Sequence, residues 1–320
     1  MDRSRRRLLA MAALAPLMPL GGCAVPPLTR VGSIVWIGYE PLFLARELGF
    51  YDPRRLRLVE MPSNTSSLML LATGDIEAAA LTLDECLLAR EGGVDLRAIL
   101  VFDYSAGADV VMAHPDIRRL DELKGRRIGV EETAASALVL AKLLEHAGLA
   151  PHEVEKVRLT SGRQVEAYRG KQVDAVVSWE PFATQLESEG ARRLFDSRAI
   201  PGLLVDVLAA RADALEEAPD NFRELVAGHF KAQEHLQSLP DDALRRMAPR
   251  LHLSHADARM ALQGIRMLDR AANRDWLGGV SPRLGGAAAE LAQTMRPLGL
   301  LQRAPDLRDL AEPRFLPGET

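Results

Sequence analysis

Three aromatic residues and a group of carboxylates fall where this sequence could grip a small molecule. Trp36, Gly38 and Tyr39 follow one β-branched run, Thr82 and Asp84 follow another, and Trp179 and Glu180 close a third just before Pro181. Ser63, Asn64 and Thr65 precede one helix-like segment, Glu131, Glu132, Thr133 and Ser136 a second, and Arg163 a third, while Asp103 and Asp109 flank a short connection. In open α/β sheets ligands sit beyond the carboxyl ends of strands, facing helix N-termini whose free N–H groups are donors. The aromatic faces add stacking and cation–π attraction. Asp84, Asp103, Asp109, Glu131, Glu132 and Glu180 are set against one base, Arg163. That balance favours a nitrogen-rich organic solute, an amine, amide or pyrimidine, between Trp36, Tyr39 and Trp179. A nitrate, sulfonate or taurine-type anion, the alternative, would gain from arginines. Each residue also has a plainer reading. Ser63, Thr65 and Asp84 are ordinary helix caps, Trp36 and Trp179 could be core, Glu180 could be surface, and Trp276 is expected to pack.

The remaining chemistry is sparse. The seven histidines show no His-x-x-x-His with a nearby acid, and His252 and His255 straddle a helix start, so no metal is expected. No Gly-x-Ser-x-Gly elbow occurs. Cys86 reads as a buried apolar residue. No catalytic residue and no cofactor are expected.

The elements that must hold these residues alternate. Val31 to Ile37 reads as a strand, Pro41 to Leu48 as a short helix stopped by Gly49, and Leu56 to Met61 as a strand. Ser66 to Ala72 reads as a helix ended by Gly74, Ala78 to Leu83 as a strand, Asp84 to Arg90 as a helix, and Leu96 to Phe102 as a strand. The rhythm restarts with strands at Val110 to Ala113 and Arg127 to Val130, a helix from Ala134 to His146 closed by Gly148, and strands at Val154 to Leu159 and Val173 to Ser178. After a strand at Leu203 to Ala210 the pattern turns helical from Pro219 to about Leu310. Ser254 is a cap there, and Pro240, Pro249, Gly278-Gly279 and Gly285-Gly286 are breaks. The succession predicts mostly parallel, doubly wound sheets.

The N-terminus specifies an address. Arg3, Arg5, Arg6 and Arg7 head an apolar run from Leu8 to Leu20, which Leu20-Gly21-Gly22-Cys23 closes with small residues before a cysteine. That is an export signal with a lipoprotein cleavage site, too short for a permanent span of about 20 residues. Acylation at Cys23 would anchor the chain outside the cytoplasm. Ser4-Arg5-Arg6-Arg7-Leu8-Leu9 also resembles a twin-arginine export motif. Removing four arginines and Asp2 from 40 basic and 44 acidic residues leaves 36 and 43, a net charge of −7. No nucleic-acid footprint is present. With 48% apolar and 26% charged residues the chain can bury a real core.

Four segments carry a family resemblance: Ile37-Gly38-Tyr39-Glu40-Pro41-Leu42-Phe43-Leu44-Ala45-Arg46-Glu47-Leu48-Gly49-Phe50-Tyr51, Leu71 to Ala78, Leu120 to Val130, and Gly170 to Val177. They resemble the solute-binding proteins of nitrate, sulfonate and taurine type ABC importers, and are similar to thiamine-pyrimidine-precursor binding proteins. The resemblance implies a type II periplasmic-binding-protein fold, two doubly wound α/β lobes on a two-segment hinge with a helical C-terminal tail. Residues 1–22 would be the signal peptide, 23–29 a tether, 30–103 and 206–320 lobe one, and 110–203 lobe two. The expected partners are a small-molecule ligand, the transmembrane subunits of an ABC permease, and the membrane through the lipid anchor, with no nucleic acid and a monomeric protein. The rival classes are a pyrimidine-precursor synthase on the same fold, whose cysteine-rich motif has no counterpart here, and an adaptor lipoprotein.

Overall fold

Short runs of branched and small apolar residues build two mixed sheets, each ending at the same cleft. The structure, a computed structural model, describes residues 27–131 and 133–318. The chain opens β1 (Thr29–Ser33), α1 (Glu40–Glu47), β2 (Leu56–Glu60), α2 (Asn64–Thr73), β3 (Ala78–Thr82), α3 (Leu83–Glu91) and β4 (Leu96–Ser105). It continues with β5 (Asp109–Ala113), β6 (Arg127–Val130), α4 (Ala134–Ala147), β7 (Glu155–Arg158), α5 (Gln164–Arg169), β8 (Ala175–Trp179), α6 (Phe182–Ser188) and β9 (Arg192–Asp196). The last third comprises β10 (Val205–Arg211), α7 (Ala212–Glu217), α8 (Pro219–Ser238), α9 (Pro240–Leu251), α10 (His255–Leu262), β11 (Ile265–Met267), α11 (Arg270–Leu277) and α12 (Arg283–Met295).

The first sheet runs β11-β4-β10-β3-β1-β2 and the second β7-β6-β8-β5-β9. Neither is mostly parallel, which corrects the sequence expectation. The pairs β1 with β2 and β3, and β6 with β7 and β8, are parallel. However, β10 enters the first sheet antiparallel to both β3 and β4, and β5 lies antiparallel to β8 and β9. The reason is the route of the chain, which leaves the first sheet after β4 and returns into its middle as β10. Two strands, β9 and β11, escaped the sequence reading: β9 opens on two arginines without apolar alternation, and β11 has three residues. Gly285-Gly286 and Pro249 lie inside α12 and α9 instead of breaking them. In α12 the buried stripe Leu284, Ala288, Leu291 and Met295 outweighs the cost of two glycines, about 1 kcal/mol each relative to alanine. The helical tail stops at Met295, short of Leu310.

Caps fix the helix ends that face the cleft. Ser63 Oγ accepts from Ser66 N–H at 3.2 Å to start α2, and Thr133 Oγ1 accepts from Ser136 N–H at 3.2 Å to start α4. Between the sheets the chain passes through Ala106–Ala108, where Gly107 has φ +121°, a region that favours glycine. The N–H groups of Ala106 and Ala108 both donate to Gly264 O, at 2.8 and 3.0 Å. The second crossing lies between β9 and β10.

The β4–β10 ladder of the first sheet shifts register twice, between Leu208 and Ala209 and, as a bulge, between Asp206 and Val207. Asp206 is in register with Asp103 but Val207 with Val101, so Phe102 is an extra residue in β4. This bulge is gripped from α11: Asn273 Oδ1 accepts from Val101 N–H at 2.8 Å and its Nδ2 donates to Val101 O at 3.0 Å.

Candidate functional site

The ends of β3, β10, β6 and β8 and the starts of α2, α3 and α4 converge on one cleft. Of the residues singled out from sequence, Trp36, Tyr39, Asn64, Thr82, Asp109, Glu131, Thr133, Ser136 and Trp179 line it. Ile34, Glu85, Val139, Val177, Ser178 and Asp206 join them. The space open to the centre of a water-sized sphere is about 30 Å³, so the cleft is narrow and suits a compact ligand.

Aromatic rings set its walls. Trp36 and Tyr39 meet edge-on with centroids 6.5 Å apart, and Tyr39 rests on Phe102 at 5.1 Å. Trp179 comes from the second sheet yet packs within the apolar cluster of the first. Its indole N–H donates to Val35 O at 3.1 Å, tying the two sheets together across the cleft.

The floor is acidic. Glu85 closes a capping box: its Oε2 accepts from Thr82 N–H at 3.2 Å and from Asn64 Nδ2 at 2.5 Å. Asp206 accepts from the Tyr39 hydroxyl and stands beside Thr82 on β3 and Asp103 on β4. Burial pushes Glu85 up to about 8, Asp109 and Glu131 each to about 7, and Asp84 to about 6. Asp103 and Asp206 are raised well above the carboxylate range, burial being the main cause and their mutual repulsion adding to it for Asp206. Among the described residues no arginine, lysine or histidine lines the cleft.

The other sequence candidates lie elsewhere. Gly38 sits behind the wall, where a Cβ would be 1.9 Å from Asp103 Oδ2 and 2.5 Å from Trp36 Nε1. Asp84 and Asp103 are buried beneath the floor. Ser63 and Thr65 line a shallower depression with Arg158 and Thr160, which adjoins the cleft through Glu131. Arg163 is exposed outside the cleft. Glu180, read as a ligand contact or a surface residue, is neither at the cleft nor exposed: it is buried and bonded to Thr184 Oγ1 at 2.8 Å and to Arg193 Nη2 at 3.2 Å. Glu132 and Cys23 lie outside the described residues.

Sequence reasoning missed Glu85 and Asp206. Glu85, three residues after Thr82, carried the signature of a capping box. Asp206 fell inside the strand read at Leu203 to Ala210, and nothing local marks it, because its place depends on a strand pairing across more than 100 residues.

A family model described as NMT1-like matches residues 25–252. The chain belongs to the NMT1-like family. As a member of it, the chain is 25% identical over 182 residues to the taurine-binding periplasmic protein of Escherichia coli (strain K12), a match covering 56% of this chain and 57% of that protein. Among solved structures it resembles the alkanesulfonate-binding protein SsuA from Xanthomonas axonopodis pv. citri bound to MOPS, with TM-score 0.73 and 19% identity over 88% of this chain and 96% of that one. It also resembles the desulfurization enzyme DSZB, with TM-score 0.63 and 20% identity over 90% and 97%. The fold of this NMT1-like chain is the periplasmic-binding-protein fold, two α/β halves with a helical C-terminal part. An enzyme shares that fold, so the fold alone does not exclude catalysis.

Proposed function

We propose that the protein is an extracytoplasmic solute-binding component of an ABC importer that captures a small molecule in the cleft and delivers it to a permease. The carrying observation is the cleft itself, built from strand ends and capped helix starts of two sheets that, among the described residues, two chain crossings connect. In this reading residues 30–103 and 206–320 form one jaw and 110–203 the other, turning about Ala106–Ala108 and the second crossing. A ligand that touches both jaws binds the closed state better and shifts the population toward it. No grouping of three or more His, Cys, Asp or Glu among the described residues could hold a metal, and no described helix is long and apolar enough to cross a membrane. Export through residues 1–22, anchoring at Cys23 and a monomeric state complete the proposal.

For the ligand, the relatives and the cleft point differently. The named relatives bind taurine or alkanesulfonates by their names, which is closer to the anion alternative than to a nitrogen-rich solute. The cleft's own charge supports the nitrogen-rich reading. A thermal-shift panel of taurine, alkanesulfonates and nitrate against amines, amides and pyrimidines tests the function: ligand at 100 times its Kd adds about 2.7 kcal/mol. A shift with any member supports solute binding, and silence across the panel would return the adaptor and enzyme readings.

A further inference from the structure

We propose that the cleft seats the protonated nitrogen of a compact organic cation, an alkylammonium or amidinium group, on Glu85 and Asp206 with Asp109 and Glu131 completing the seat. The inference rests on the solute-binding reading and names the end of the ligand that is recognised.

Four carboxylates line this narrow space without a lining base, and among the described residues none of the four forms an ion pair. Helix caps explain only part of this. Glu85 serves the first turn of α3, but Asp109 and Asp206 lie on strands and have no helix start to stabilise. Buried carboxylates held together in this way cost the empty fold free energy, which a bound cation would return.

Unpartnered acceptors point the same way. Asn64 and Glu131, each about 4% exposed, line the cleft, and among the described residues Asn64 Oδ1 and Glu131 Oε2 meet no hydrogen-bond donor, while the open donor on the wall, Trp36 Nε1, stands beside Asp103. Two acceptors left open in a cleft of carboxylates ask for N–H groups from a ligand. A sulfonate or sulfate brings only acceptors, and its negative charge would disfavour ionisation of the carboxyls around it, whereas a cation favours it. The indole of Trp36 and the phenol of Tyr39 give such a cation aromatic neighbours.

The test is isothermal titration calorimetry at pH 8 with ethylammonium, acetamidinium, taurine, isethionate and ethanesulfonate, on the wild type, Glu85→Gln and Asp109→Asn. Taurine and isethionate differ only in amine against hydroxyl. The expected result is binding of one or more nitrogen-bearing probes, at least tenfold weaker binding of isethionate and ethanesulfonate, and at least tenfold loss of the cation in both variants. Both variants are expected to melt no lower than the wild type, because each replaces a desolvated carboxyl by an amide of the same shape. Equal binding of taurine and isethionate, or unchanged cation affinity in folded variants, overturns the inference while the solute-binding function stands. Silence from all five probes also overturns it, and the function itself then falls only if the wider thermal-shift panel is silent too.

Discussion

At the scale of single residues, the wall of the cleft depends on an absent side chain. Gly38 lets the backbone pass within contact of Asp103 and Trp36, and any Cβ there would overlap the Asp103 carboxylate. Gly38→Ala is expected to force Asp103 or Trp36 aside. The cost should be on the order of 1–3 kcal/mol, as for overpacked cores, read as a lower midpoint in urea unfolding together with weakened ligand binding. The residue types that form the walls were legible in the sequence: Trp36, Tyr39 and Trp179 sit at the strand ends where the chain places a pocket. Glu180 was not, because a carboxylate before a proline looks the same whether it faces ligand or, as here, a half-buried arginine.

At the scale of elements, the position of Asp103 opposite Asp206 follows from the bulge at Phe102. The grip of Asn273 on Val101 stands in for the ladder bonds that a bulge forfeits. Asn273→Ala would leave a buried N–H and a buried C=O of β4 without their partner, at a cost of about 1–3 kcal/mol each. The expected outcome is a marked loss of stability, with faster amide exchange at Val101 than elsewhere in β4. Local signals placed most elements because caps and glycine stops act within a few residues, as Ser63 and Gly74 do for α2. Pairing directions and the edge strands β9 and β11 were not legible, since these depend on which distant segments meet. In α12 a long apolar stripe overruled the local vote of Gly285-Gly286.

At the scale of the whole molecule, the buried acids make stability depend on pH in an unusual direction. Glu85, Asp109, Glu131 and Asp84 titrate between about 6 and 8 in the fold but near 4 when unfolded. The folded protein therefore holds more protons across that interval, and its stability falls as pH rises from about 5 to about 8. Carboxylates shifted the other way, such as Asp52, Asp242 and Asp306, matter only below about pH 4. The expected result is a melting temperature for the unliganded protein several degrees lower at pH 8 than at pH 5, measured by calorimetry in buffers of equal ionic strength. A cation in the cleft should reduce that difference. The cross-cleft bond from Trp179 to Val35 has an optical corollary. The chain contains three tryptophans, and two of them, Trp36 and Trp179, line the cleft, while Trp276 lies in α11 beneath Arg283. Parting of the sheets would hydrate the Trp179 indole and leave Trp276 untouched, so intrinsic fluorescence should shift to the red on opening and to the blue on capture. The protein thus carries its own dye, and in Trp179→Phe that signal should shrink to the share contributed by Trp36.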